Sequence, residues 1–323
     1  MNKVVTVTLN PAIDLTVRLE HLQPGAVHRA LGQQAEAGGK GIGVASVLAA
    51  LGVRVAACGW LGADNDGLFE AAFAERGIAD HMQRLPGSTR TNIKLTDASR
   101  GDSTDVNLPG LTLDADARAA AQAALAQTLD RLLAPGDWCE LAGSLPPGLG
   151  VDSWLSVARQ VHARGAHLVV DTGGAVLAQL LRDLAASGAA AMPAFVKPNR
   201  AELEELAGRP LPALSDVAAA AQQLRVQGVV QVAVSLGGDG AVIAGADGSW
   251  HAQVPPVPVA TTVGAGDAMV AGTLAALIQG RPFRDAAVFG MACAAARIQR
   301  IEPTLPPRAE IERLAARITL QPL

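Results

Sequence analysis

The sequence predicts an α/β fold: a mostly parallel sheet with helices on both faces, and a small antiparallel sheet standing off it. Short apolar runs alternate with longer helical patterns up to about residue 262, and the pattern is helical beyond it. Two segments, Leu15–Ala30 and Thr89–Asn107, instead alternate apolar and polar residues, which is the period of a half-exposed strand.

The first run, Val4–Leu9, is too short for a signal peptide and reads as a strand. Val55–Leu61, Trp138–Ala142, Leu168–Asp171, Phe195–Lys197 and Val229–Leu236 read as further buried strands. Between them the helical stretches are Gly41–Leu51, Gly67–Arg76, Asp114–Leu133, Asp152–Arg164, Val176–Ala186, Ala201–Ala207 and Val217–Val226. Ala265–Ile278, Asp285–Arg300 and Arg308–Ile318 complete the set. The alternating segments, about 12–35 and 88–110, are expected to form a discontinuous lid over the carboxyl edge of the main sheet, where it would exclude water. Surface hairpins without a role are the other reading. No repeat, low-complexity region or linker interrupts the chain, so 1–323 reads as a single domain.

At 323 residues the chain can bury a sizeable core, and half of it is hydrophobic with no Tyr. The net charge is −4 without a long Lys or Arg run, so no footprint for nucleic acid is visible. No stretch approaches the ~18 apolar residues of a membrane helix, and a soluble, cytoplasmic protein is expected. Cys58, Cys139 and Cys293 are widely spaced and include no CxxC pair, and the histidines lack ligand spacing. Buried small hydrophobes are the expected role for such cysteines, not a zinc site or a disulfide.

Three glycine-rich signals carry the chemistry. Gly38-Gly39-Lys40-Gly41 leads into a helix, where free N–H groups and the helix N-terminus favour an anion. It is not a Walker A loop, because Gly41 stands where Ser or Thr is needed. Nor is it the dinucleotide fingerprint: Val44 stands where a third Gly or Ala is required. Ser235-Leu236-Gly237-Gly238-Asp239-Gly240 follows a strand, where open α/β sheets bind ligands, or else makes a tight hairpin to Ala241–Ala244. The third signal is Thr262-Val263-Gly264-Ala265-Gly266-Asp267. Gly264, Ala265 and Gly266 would open a helix with free amides able to hold charge on a transferred phosphoryl group, with Asp267 beside them. Gly-x-Gly is a poor helix start for stability alone.

These segments, together with Gly143-Ser144-Leu145-Pro146-Pro147-Gly148 and Lys197-Pro198-Asn199-Arg200-Ala201-Glu202, resemble the ribokinase-like, PfkB-type carbohydrate kinases in order and spacing over nearly the whole chain. Thr8-Leu9-Asn10-Pro11-Ala12-Ile13-Asp14, Thr89–Leu95 and Thr104-Asp105-Val106-Asn107 are similar to the hexose-phosphate branch, above all its fructose-1-phosphate kinases. The resemblance implies a three-layer α/β/α sandwich with a β-sheet lid, ATP as phosphoryl donor and Mg2+ as its companion ion. It implies Asp267 as catalytic base and Gly264, Ala265 and Gly266 as the anion hole. Asp14, Gly38, Gly39, Lys40, Gly43, Asn107 and Ser144 would meet the sugar phosphate, with Arg90 on its existing phosphate. A planar guanidinium suits that bidentate task.

Lys197, Asn199, Glu202, Ser235, Leu236, Gly237, Gly238, Asp239, Gly240 and Gly266 would border the nucleotide, with Glu202 holding Mg2+ through water. Asn199 and Glu202 equally fit a helix capping box. Gly43 departs from the resemblance, since the family usually has Asn there, and Ala268 stands where Ser is common. The implied reaction is ATP-dependent phosphorylation of a ketohexose monophosphate, fructose 1-phosphate first, with tagatose 6-phosphate and fructose 6-phosphate as alternatives. A non-catalytic sugar-phosphate sensor on the same fold is the reading from another class. The resemblance also leaves room for a homodimer through the lid sheets, since exposed strand edges and faces seek partners.

Overall fold

The computed structural model describes residues 2–188 and 191–323. Its centre is β1 (Val4–Thr8), five buried residues, all of them β-branched, on both sides of the pleat. Val4 packs into one apolar layer while Val5 and Val7 pack into the other, as the period of two requires. On one side β1 pairs in parallel with β4 (Val55–Gly62), which pairs with the edge strand β5 (Ala79–Leu85). On the other it pairs with β8 (Trp138–Ala142), followed by β9 (His167–Asp171), β10 (Phe195–Val196) and β11 (Gln231–Ser235), all parallel. The sheet then turns antiparallel through β12 (Ala241–Gly245), β13 (Gly248–Gln253) and β14 (Thr319–Pro322). The result is a ten-stranded sheet.

One face is covered by α1 (Lys40–Ala50), α2 (Gly67–Arg76), α8 (Ala265–Ile278), α9 (Phe283–Arg297) and α10 (Arg308–Ala315). The other is covered by α3 (Ala115–Leu132), α4 (Val151–Ala163), α5 (Gly174–Ala186), α6 (Arg200–Ala207) and α7 (Leu214–Val226). This is the expected three-layer sandwich. The α8 helix is apolar around most of its circumference because it lies inside its layer, against both α1 and α9. Its Gly272 meets α9 so closely that a Cβ there would stand 2.8 Å from the Gly290 Cα.

A separate four-stranded sheet stands off the main one, in the order β3 (Gly32–Gly38), β2 (Ala12–Leu19), β6 (Arg90–Asp97), β7 (Asp102–Asn107). Its two outer pairings are antiparallel, and the central β2–β6 pairing is parallel. Asp14 is opposite Glu36 on one side and Asn92 on the other, and Asn92 is opposite Asn107.

Element boundaries differ from the sequence expectation in instructive places. The first lid segment splits into β2 and β3, with Pro24-Gly25 in the connection between them. β5, β13 and β14 carry no clear apolar signature and become strands by pairing at the sheet's two ends. The hairpin after β11 forms, through a 3₁₀ turn at Gly237–Asp239. α9 stops at Arg297, three residues before the expected Arg300.

Candidate active site

The carboxyl ends of β1, β8, β9, β10 and β11 converge below the lid, and the start of α8 faces them. Gly264 begins α8 with a left-handed φ of 77°, a conformation glycine adopts without strain, and no side chain caps the helix. Among the described residues the Gly264, Gly266 and Asp267 amides have no backbone acceptor, and Ala265 has one long contact, 3.4 Å to the Thr262 carbonyl. The helix therefore offers bare N–H groups and the positive end of its dipole to whatever enters.

Asp267 hangs from that first turn into a cleft lined also by Asp14, Glu36, Gly38, Gly39 and Gly43. Burial, reinforced by the nearby Asp171 charge, pushes its carboxyl up to about 7, against the pull of Lys40 and Lys197. The Gly43 substitution has a direct structural consequence: a Cβ at that position would collide with the Asp267 carboxylate. The volume a side chain at 43 would fill is occupied by that carboxylate.

Asp171, at the carboxyl end of β9, was not singled out in the sequence. It is 3% exposed and accepts from Lys40 Nζ at 2.9 Å, with Lys197 Nζ at 3.8 Å. Burial alone would raise its pKa, but Lys197 and Lys40 outweigh burial and hold it below the usual carboxylate range. Asp171 thereby holds both lysines together. Lys197 Nζ lies 3.4 Å from where a Cβ on Gly266 would be, so it borders the uncapped turn of α8. Behind this group lies Glu140 on β8, fully buried, with neither carboxyl oxygen partnered among the described residues. Burial, then Asp171 and Asp267, push its carboxyl well above the ordinary range.

On the lid side, Asp14 Oδ1 accepts from Asn92 Nδ2 at 3.0 Å. Burial raises the Asp14 pKa, and the Asn92 hydrogen bond and Arg90 pull it back. Gly38 is kept bare by the same carboxylate, which a Cβ there would strike. Arg90 is not free: it donates to the carbonyls of Pro11 at 3.3 Å, Leu108 at 3.1 Å and Asn10 at 3.2 Å. That leaves two of its five N–H donors for a ligand. Ser144 accepts from Asn10 Nδ2 at 3.0 Å, and Asn107 lines the face of the lid with Asp14 and Asn92. Glu36, Arg76 and Arg297 join the cleft without having been read from the sequence.

Along β10 and β11, Asn199 and Glu202 make the capping box of α6, with Asn199 N donating to Glu202 at 2.8 Å and Glu202 N donating to Asn199 at 2.9 Å. Asn199 also bridges to Ser235. The turn Gly237–Asp239 is exposed, and a Cβ on Gly240 would strike the Ala252 carbonyl. Most of the site residues read from the sequence fall into two groups, with Lys40 held at Asp171 and Arg90, Asn107 and Ser144 outside both. Asp14, Gly38, Gly39, Gly43 and Asp267 share the cleft, while Asn199, Glu202 and Ser235–Gly240 lie along the neighbouring strand ends. Lys197 and Gly266 sit where the groups meet.

The description "pfkB family carbohydrate kinase" matches residues 2–309. The chain belongs to this family. It is 48% identical to the 1-phosphofructokinase of Xanthomonas campestris pv. campestris, covering 85% of this chain and 84% of that one. The 1-phosphofructokinase of Rhodobacter capsulatus is 42% identical, covering 99% and 98%. Among solved structures, Escherichia coli phosphofructokinase-2 in complex with fructose-6-phosphate superposes with a TM-score of 0.86 at 26% identity, covering 98% of this chain and 99% of that one. The ribokinase-like fold read from the sequence is therefore the fold of the molecule.

Proposed function

We propose that this sugar-phosphate kinase transfers the γ-phosphoryl group of ATP to fructose 1-phosphate, giving fructose 1,6-bisphosphate, with tagatose 6-phosphate and fructose 6-phosphate as weaker alternatives. The observation that carries the reading is Asp267, its carboxyl raised to about 7, beside the uncapped amides of Gly264–Gly266. Transfer needs an acceptor oxygen in line with the donor phosphate and a carboxylate to take its proton. Asp267 takes the proton of the C6 hydroxyl while the amides hold the charge that builds on the moving group. Asp14, Gly38 and Gly39 position the sugar. Lys197, Asn199 and Ser235–Gly240 border the nucleotide, and the remaining donors of Arg90 meet the phosphate already on the substrate.

The oxygen donors near the two lysines suit Mg2+. Asp171 Oδ2 is buried and unpartnered, and Glu202 keeps one oxygen outside its capping bond. No group of three or more ligating side chains exists among the described residues, which fits an ion arriving with the nucleotide and held largely through water. Bound there, Mg2+ would neutralise phosphate charge.

No helix is long and apolar enough to cross a membrane among the described residues, and all three cysteines are free and buried, which fits work in a reducing cytoplasm. The lid's free edges β3 and β7, with exposed Leu31 and Val106, favour a homodimer formed edge to edge.

ADP release measured with fructose 1-phosphate, fructose 6-phosphate, tagatose 6-phosphate and ribose tests the substrate. The highest kcat/KM is expected for fructose 1-phosphate, and turnover of ribose alone would refute a phosphosugar kinase. Asp267→Asn is expected to keep ATP affinity and lose on the order of 10²–10⁴-fold in kcat.

A further inference from the structure

Besides Arg76, the cleft wall beside Gly264 holds a cation, Arg297. Arg297 is the last residue of α9, only 6% exposed, yet it lines the cleft with Asp267, Asp14 and Gly43. Its Nε lies 3.3 Å from the point a Cβ on Gly264 would occupy. One nitrogen, Nη1, donates to the Arg300 carbonyl at 2.6 Å. Nε and Nη2 have no acceptor among the described residues. The carboxylates around it, Glu36, Asp267 and Glu302, act on it through space without a paired contact.

Helix capping accounts for only part of this arrangement. A cation at a helix C-terminus is stabilising, and the single Nη1 bond to the Arg300 carbonyl meets that role. The other two donor nitrogens, Nε and Nη2, are left without a protein partner among the described residues, on a residue that lines the cleft. The open donors face the same space as the bare amides of α8. Arg297 stands at Gly264 and shares its cleft with the sugar-side residues Asp14, Glu36 and Gly38. Lys197 stands at Gly266 and leads into the nucleotide-side strand end. A phosphoryl group in transit spreads its charge over three equatorial oxygens, and the amides of one helix turn address it from one side only.

We propose that Arg297 is a further catalytic residue of this kinase, contacting the transferring phosphoryl group from the acceptor side. The proposal rests on the kinase reading above. In the step, the acceptor oxygen loses its proton to Asp267 and forms the new bond to phosphorus. The bond from phosphorus to the ADP oxygen breaks, and its electron pair leaves with ADP. Arg297 stays protonated throughout and holds charge without exchanging a proton.

The test compares wild type with Arg297→Gln and Arg297→Lys. It reads kcat, both KM values, ATP affinity, and the affinity of ADP–aluminium fluoride in the presence of sugar phosphate. Arg297→Gln is expected to lower kcat on the order of 10²-fold. Both KM values should stay within about threefold, the signature of an interaction made only in the transition state. The transition-state mimic should weaken in parallel, with Arg297→Lys recovering part of the loss. Unchanged kcat and mimic affinity in Arg297→Gln would overturn the proposal, as would a rise in sugar KM alone. Should Arg297→Gln fail to fold, Arg297→Lys decides: weaker mimic binding at unchanged ATP affinity supports it, and unchanged mimic binding overturns it. A wild-type enzyme inert towards every sugar phosphate would count against the kinase reading itself, whereas an active wild type with an unimpaired Arg297→Gln counts against Arg297 alone.

Discussion

At the scale of the residue, chemistry depends on where one carboxylate rests. Asp267 lies against α1 because Gly43 has no side chain to displace it. Burial there raises its pKa to about 7, and in the role proposed for it a base works only when unprotonated. The kcat/KM of wild type is therefore expected to rise through about pH 7 from the acid side. The sign for stability runs the other way. A carboxyl with a raised folded pKa favours the fold below its ordinary pKa of 3.8 and loses that contribution as pH climbs through about 7. In Gly43→Ala the new Cβ pushes the carboxylate towards solvent, so the acid limb should move below that of wild type. Paired pH–rate profiles check this, and coincident limbs would contradict it. Asp267 was legible because its signal is local, a glycine pair followed by an acid. Asp171 and Arg297 were not: one reads as a strand's last residue and the other as a helix-end cation, and only the tertiary fold brings them to the cleft.

At the scale of the element, α8 is the part that everything else positions. It presents Asp267 at its start and packs on α9 along its length, where a Cβ at Gly272 would stand 2.6 Å from Cys293 Sγ. Gly272→Ala is expected to destabilise the protein by about 1–3 kcal/mol through overpacking, and to lower kcat as the helix shifts. Thermal denaturation and steady-state kinetics measure the two effects; an unchanged melting temperature would show that the helices part freely. Helices such as α8 were legible from apolar runs of helical length. β5, with Asp80, His81, Gln83 and Arg84 in seven residues, was not, since only pairing with β4 makes it a strand. The Asn199 and Glu202 capping box was readable directly from its spacing, and both hydrogen bonds form.

At the scale of the whole molecule, two sheets divide the work. The large one sets the strand ends that carry Asp171 and Lys197, and the small one brings Asp14 over the cleft. Their alternation of runs made the sandwich and the lid legible together, while the joint between them was not. Arg90 supplies that joint, tying Asn10 and Pro11 at the lid's entry to Leu108 at its exit. If a second copy pairs along the lid edge, sedimentation velocity should report a dimer, and Val106→Lys should shift it towards monomer. A monomer at all concentrations in wild type would remove that reading.

The far end of the large sheet closes on four residues. β14 seals β13, and Leu323 adds one more rung by donating to the Ser249 carbonyl at 2.9 Å. Cutting the chain back to Ile318 would bare the ladder of Trp250 to Gln253, and an unsealed ladder seeks any strand that will match it. With the tail in place the open edge passes to β14, a strand of four residues in which Pro322 has no N–H to offer a further strand.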